Sequence, residues 1–342
     1  MHVVAQQKMF CDEKQKCQWD MGKCKTKQIE PLKAAVDPDP YEMIDINKRI
    51  HIHHVISQYI SKLPSCLVSY GSTWVMGDEL YLKKQIGSPS AYGVVYIASG
   101  KSVKMPVAVK IMERWIDENI IDTIYLDILS KLSLQKRFLH FPITYAIKEC
   151  REQLRMTRDN SFDQYFVVIG ELANGDFLQW TNEVSMSYIE YTSAFGQIIF
   201  VIFKLSSIGI RHNDSKPQNF LYHNVPAGGH WWYKFQGRDL YIKNTGQLWI
   251  INDFGTSYDV SSKYNSDQLN PRDLRTFFIN LKRENISNVR ISTLIKSIYT
   301  MIIQKDSIDF GTLLQILIKT KAVSIIKPTK IINFDAPMDL GK

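Results

Sequence analysis

Residues 212 to 219 read His212-Asn213-Asp214-Ser215-Lys216-Pro217-Gln218-Asn219, and thirty-four positions after Asn219 comes Asp253-Phe254-Gly255. A long apolar segment, roughly Tyr191 to Ile208, ends at Gly209 and reads as a helix that delivers the octapeptide. These residue types suit phosphoryl transfer, which needs a carboxylate to accept a hydroxyl proton, a cation beside the moving phosphate, and an amide and a second carboxylate to hold Mg²⁺. Asp214 is the candidate base and Lys216 the cation. Asn219 and Asp253 offer the oxygen ligands that a hard divalent ion prefers.

Upstream, the period of the chain changes at residue 79. Glu79-Leu80-Tyr81-Leu82 leads into Ile86-Gly87-Ser88-Pro89-Ser90-Ala91-Tyr92-Gly93-Val94-Val95-Tyr96, then a turn at Gly100, then Val107-Ala108-Val109-Lys110-Ile111. The order is strand, glycine loop, strand, turn, strand, with a lysine inside the third strand. Taken with the H-x-D-x-K-P-x-N octapeptide and the D-F-G tripeptide, this unit resembles the protein kinase superfamily. Lys216 and Pro217 after Asp214 resemble its serine/threonine members rather than tyrosine kinases or small-molecule phosphotransferases. The stretch between Asn219 and Asp253 is long and aromatic, with His230-Trp231-Trp232-Tyr233-Lys234-Phe235 and Leu248-Trp249-Ile250-Ile251. Together with Gly237-Arg238-Asp239 it resembles the protein kinases of large cytoplasmic DNA viruses of the iridovirus and ascovirus type.

The resemblance spans residues 79 to 280 and implies an α+β, bilobal fold, with a small β-rich N-lobe at 79–172 and a mainly helical C-lobe at 173–342. The C-lobe would carry an extended insertion at 222–247, expected to form extra strands packed on it. Residues 1–40 are expected to be a flexible basic extension and 41–78 a helical lead-in of one or two helices. ATP and Mg²⁺, or Mn²⁺ in its place, are the implied cofactors, and a protein is the implied substrate. By the same matching, ATP would meet Ile86, Gly87, Ser88, Ser90, Gly93 and Val95, with Lys110 on its phosphates. Phe166 to Leu172 resembles the fifth strand and hinge: Ile169 as gatekeeper, the backbone of Glu171 and Leu172 at the adenine edge, Asp176 at the ribose. His212, Phe254, Gly255 and Asp273 would support the site, Asp273 as a buried brace of the catalytic loop.

Several positions depart from the family pattern. Gly87 sits one residue early and Ser90 stands where the middle glycine belongs. Ile116 to Leu132 reads as the helix that normally carries a glutamate partner for the strand lysine, but that position is Tyr125. Asp122 and Glu118 lie about one and two turns earlier on nearly the same face, and Asp127 is close but out of phase. Asn213 replaces an arginine that commonly contacts a phosphorylated activation loop, the A-P-E triplet is absent, and the activation segment is short, so control by such phosphorylation is not expected. The alternative to an active enzyme is a catalytically weak pseudokinase or scaffold.

Bulk properties permit this reading. With 342 residues, 45% hydrophobic and 22% charged, the chain can bury a sizeable core. Five cysteines without a C-x-x-C pair argue for free thiols and against a disulfide framework. No apolar run approaches the roughly 20 residues of a membrane span, so a soluble, intracellular protein with no membrane partner is expected, in host cytoplasm and virion if viral. The net charge of +8 is spread along the chain and no nucleic-acid module is recognisable, so a nucleic-acid partner is not expected. His51, His53 and His54 read as helix residues rather than ligands, Gly100-Lys101-Ser102 as a hairpin turn, and Asp309-Phe310-Gly311 as the start of a helix reaching from 313 to 326.

Overall fold

The computed structural model describes residues 17–20, 23–26 and 45–341, apart from 72, 91–92, 103–104, 136–137, 156–160, 184–185, 261–267, 270, 284–287, 304, 306 and 334–335. Residues 1–37 form one unit and 38–342 another. Within the first, strands β1 (Cys17–Asp20) and β2 (Lys23–Thr26) pair antiparallel. That stretch of the expected flexible extension is therefore a hairpin, and the rest of the extension lies outside the described residues.

The second unit opens with one helix, α1 (Ile46–Ser61), followed by β3 (Val68–Tyr70), β4 (Thr73–Met76), β5 (Leu80–Ser90), β6 (Gly93–Gly100) and β7 (Val107–Glu113). Helix α2 (Asp117–Leu134), β8 (Thr144–Cys150) and β9 (Tyr165–Glu171) complete the N-lobe. Its seven strands lie in the order β3-β4-β5-β6-β7-β9-β8, each pair antiparallel. Side chains alternate across a strand, so Val107, Val109 and Ile111 enter one core cluster with Ile56 and Ile60 of α1. Met112, on the opposite face, joins Leu126 and Leu129 of α2.

The C-lobe is built around α4 (Tyr188–Ser207), which follows β10 (Gly175–Asp176) and α3 (Phe177–Glu183). Every residue of α4 from Tyr191 to Leu205 is buried, the pattern of a helix enclosed on all sides. A capping box starts it: Glu190 N donates to Ser187 Oγ, and Ser187 N to Glu190 Oε2. Beyond it come β11 (Ile210–Arg211), β12 (Phe220–Asn224), β13 (His230–Phe235), β14 (Arg238–Lys243), β15 (Gln247–Ile251) and β16 (Tyr258–Asp259). Helices α5 (Pro271–Arg283), α6 (Val289–Ile303) and α7 (Phe310–Lys319) and strand β17 (Met338–Asp339) close the lobe. The last helix is shorter than its apolar pattern suggests, because Thr320 caps it and Ser324 pairs with Tyr241 instead.

The aromatic insertion is the β13–β14 hairpin, extended by β17 running parallel to β13. Period-2 alternation buries Trp231, Tyr233 and Phe235, and the hairpin lies on α4 through Phe200–Tyr233 and Phe203–Phe235 edge contacts. His140 is enclosed between the lobes' elements, its Nδ1 at 2.6 Å from Trp249 O and its Nε2 at 2.7 Å from Tyr233 Oη. Burial lowers its pKa to about 3.

Free thiols were expected throughout, yet Cys66 and Cys150 are joined in a disulfide. They lie 84 positions apart and meet because the loop after α1 folds against the end of β8, an approach that spacing along the chain does not reveal. Among the described residues no helix is long and apolar enough to cross a membrane.

Reduction of the Cys66–Cys150 bridge is expected to lower stability by about 2–4 kcal/mol, seen as a shift of the urea midpoint, with Cys66→Ser insensitive to reductant. His140 supplies a second test. Below its ordinary value of 6.5 the unfolded chain binds a proton that the native site refuses down to about 3. Stability should therefore fall with acidification across that window by up to about 1.4 kcal/mol per pH unit. His140→Gln should remove that component from the pH dependence of urea midpoints.

Candidate active site

The register of the sheet lines up one face of the cleft. Ile86 pairs with Val95, Val95 with Lys110, and Lys110 with Val168. Directly opposed residues share a face, so these four form a row across β5, β6, β7 and β9. Ile169, expected as gatekeeper, is opposite Val109 and belongs to the other face; Val168 holds the position beside Lys110. The register between β9 and β7 runs unbroken from Tyr165 to Glu171, so side-chain alternation alone places Val168 with Lys110 and Ile169 on the other face. Gly93 crosses close over β7: a Cβ there would lie 2.4 Å from Ile111 O, so only glycine fits. Gly87 precedes the bulged end of β5, whose backbone continues through Ser88 to Ser90 and pairs Ser90 with Gly93.

Lys110 is the electrostatic centre of the cleft. Its Nζ donates to Asp122 Oδ2 at 2.8 Å and to Asp253 Oδ1 at 3.1 Å. Burial opposes its charge, but the fields of Asp122 and Asp253 outweigh that penalty and hold its pKa above the usual lysine value. The same balance favours the carboxylate of Asp253, where burial is outweighed by Lys110 and its pKa is lowered. Asp122, only 1% exposed, also accepts from Phe254 N through Oδ1 at 2.8 Å. Of the acids considered on α2, Asp122 therefore meets Lys110. Glu118 instead lies with its backbone against Gly255, where a Cβ would come within 3.1 Å of Glu118 O, and Asp127 pairs with Lys131 on the surface. Tyr125 is buried, packs near Phe254 and donates to Asp259 Oδ1 at 2.9 Å.

The octapeptide forms a loop between β11 and β12. Lys216 Nζ donates to Asp214 Oδ2 at 2.7 Å, and Asn219 Nδ2 donates to Asp214 O at 2.7 Å and Oδ2 at 3.1 Å. With its amide nitrogen committed, Asn219 has its oxygen to offer a cation. Asn252 N donates to Asn219 O, which brings Asp253 alongside from the end of β15. Two oxygen donors, one an anion, fit Mg²⁺ or Mn²⁺. Asp273, 6% exposed, accepts from His212 N, Asn213 N and the Ser215 hydroxyl, bracing the loop from below. His212 Nε2 lies 3.0 Å from Asn252 O, and its Nδ1 accepts from Asp214 N. Asn213 and Asp253 both have positive φ, 67° and 66°, a cost of order 1–3 kcal/mol each that only a well-determined surrounding sustains.

Two viral proteins named as serine/threonine-protein kinases are similar to this chain. One is 380R of Invertebrate iridescent virus 6, 33% identical over 91 residues, covering 26% of this chain and 17% of the relative. The other is 019R of Frog virus 3 (isolate Goorha), 39% identical over 74 residues, covering 21% of this chain and 9% of the relative. Over these segments the chain is similar to viral proteins of the protein kinase superfamily. Its matches span less than a fifth of either viral kinase. No family model matches it. Among solved structures, a BubR1 kinase domain aligns with 83% of this chain and 93% of its own length at 17% identity, with a TM-score of 0.46.

Elsewhere the fold uses expected ligand contacts for itself. Glu171, expected to offer backbone to adenine, donates its amide to Ile143 O, and its carboxylate is buried against Arg49. Leu172 is the first residue beyond β9. Asp176 Oδ1 accepts from Gln179 N at the start of α3. The second D-F-G is a helix start, with Asp309 Oδ2 accepting from Thr312 N. His53 and His54 make local contacts with Ser57 and Gln58 one turn on.

The Lys110–Asp122 pair can be measured without any substrate. A double-mutant cycle with Lys110→Met and Asp122→Ala, followed by urea unfolding, is expected to give a coupling of about 1–3 kcal/mol. Asp122→Ala alone should be the more damaging change, because it also removes the acceptor of Phe254 N.

Proposed function

We propose that this chain is a serine/threonine protein kinase of viral type that transfers the γ-phosphate of MgATP to protein hydroxyls. The observation that carries the reading is the convergence of Asp214, Lys216 and Asn219 in one hydrogen-bonded loop beside a linked Lys110–Asp122–Asp253 set. MgATP, when bound, supplies the transferable phosphoryl group. With Asp214 Oδ2 held by Lys216 and Asn219, its Oδ1 is the oxygen that orients an incoming hydroxyl and takes up the proton. Lys216 stands where negative charge grows on the moving group, and Lys110, fixed by two carboxylates, is set to hold the non-transferred phosphates. Asn219 and Asp253 would hold the metal.

Two contacts support activity without phosphorylation of the activation segment. Strand β16 pairs with β11 directly before the catalytic loop, and Arg211 Nη1 donates to Tyr258 Oη at 2.8 Å. Tyr125 ties the same strand to α2 through Asp259. Burial and the Asp259 carboxylate raise the Tyr125 pKa, so it stays a neutral donor across the physiological range. The segment is thus fastened to both the catalytic loop and the lysine-bearing half of the cleft by groups already in the chain.

A radiolabelled ATP transfer assay on basic and acidic protein substrates, and on the protein itself, tests the proposal. Wild type is expected to transfer label, and Asp214→Asn to lose about 10²–10⁴-fold in rate. Lys110→Met should be similarly impaired. A wild-type protein that binds MgATP yet transfers nothing would instead establish the pseudokinase reading.

A further inference from the structure

Arg49 is an unexpected charge. It belongs to α1, ahead of the kinase-like segment, and is only 3% exposed. An isolated guanidinium could not be buried at that cost, and this one is fully engaged. Its Nε donates to Glu171 Oε2 at 2.8 Å and its Nη2 to Glu171 Oε1 at 2.5 Å, a two-pronged pairing that lysine cannot reproduce. Nη1 donates to Leu139 O at 2.6 Å, and Nη2 also to Phe141 O at 2.9 Å.

The partner is as heavily committed. Glu171 ends β9 at the hinge, and besides Arg49 it accepts from Ile143 N at 2.9 Å and lies 3.3 Å from His223 Nε2 on β12. Its own amide donates to Ile143 O. Burial would raise its pKa, but the fields of Arg49 and His223 overcome this and lower it, so the carboxylate stays ionised. One carboxylate therefore joins α1, the 139–143 loop, the hinge and a C-lobe strand. The apolar contacts of α1 divide in the same way: Ile46 packs in the cluster that continues into α4, while Ile56 and Ile60 pack in the N-lobe sheet cluster.

We infer that Arg49 is a positioning residue for nucleotide binding, acting through Glu171 to set the hinge segment 170–172, so that α1 is a working part of the kinase. This rests on the ATP-dependent reading above. Gly170 leaves little slack, since a Cβ there would lie 3.2 Å from Ile143 O, and the residues that face the adenine end of the cleft follow from where that strand is held. Displacing a preorganised binding edge costs affinity even when the edge itself is intact.

The full chain with Arg49→Met, Arg49→Lys, Arg49→Met/Glu171→Met and, as control, His54→Ala would be compared at a temperature where circular dichroism shows each folded. Two quantities are read: MgATP affinity by calorimetry, and amide hydrogen exchange of a peptide spanning 165–178. Arg49→Met should weaken MgATP by about tenfold or more and speed exchange by a similar factor, with Arg49→Lys intermediate and His54→Ala unchanged. The double variant removes both buried charges and so should recover thermal stability. Recovery of stability without recovery of affinity or slow exchange supports positioning; recovery of all three reduces Arg49 to a structural role and overturns the inference. If Arg49→Met fails to fold, Arg49→Lys and the double variant decide. Wild-type affinity and exchange in all folded variants would also overturn it. A wild type that binds no adenine nucleotide sinks the kinase proposal instead, and hydrogen exchange still decides whether Arg49 holds the hinge.

Discussion

The carboxylate of Asp122 is where the cleft is held together. One oxygen fixes Lys110, the other fixes the backbone of Phe254, and Lys110 in turn holds Asp253. Helix α2, strand β7 and the turn after β15 therefore share a single anchor. Buried almost completely, that anion is tolerable only because each oxygen has a donor, which couples the three elements more tightly than separate surface ion pairs would. An aspartate is shorter than the glutamate expected one turn later, so α2 must stand close to β7. Tyr125 is then free to reach past the lysine to Asp259.

Much of the architecture was legible in the sequence. The loop from His212 to Asn219 was readable because its geometry is local: the residues carry their own spacing, and a lysine two residues and an amide five residues after Asp214 both reach it. The strands between residues 79 and 111 were readable from their alternation, whereas the bilobal α+β fold came from the family resemblance and not from the pattern itself. What could not be read was rotation and register between distant elements. The apolar pattern of α2 does not distinguish Asp122 from Glu118 as the partner of Lys110, because a helix can turn by a fraction of a residue without changing that pattern. Val168 rather than Ile169 shares the face of Lys110 because the pairing of β9 with β7 fixes which residues stand opposite, and a run of apolar residues does not reveal that register.

Two other features were hidden for a different reason. Arg49 looks in the sequence like any solvated basic residue on a helix, and only the meeting of α1 with the hinge removes it from water. Cys66 and Cys150 are separated by most of the N-lobe, and nothing in their neighbours marks them as a pair. Both cases join a lead-in segment to a strand more than eighty residues away. The motifs at 212–219 and 253–255, which are short and contiguous, carry no information about such long-range closures.

The enclosure of α4 ties the stability of the C-lobe to the β13–β14 hairpin. A largely apolar helix buried on every side has no surface left to present to water, and the β13–β14 hairpin covers part of it through Tyr233 and Phe235. Gly196 sharpens the dependence, since a Cβ there would press within 3.0 Å of Ile242. Loss of the hairpin would strip the helix and leave a greasy flank prone to self-association. The hairpin and α4 therefore depend on each other: the hairpin could be removed only if the face of α4 beneath it were made polar, and a polar side chain there would be costly while the hairpin still excludes water from it.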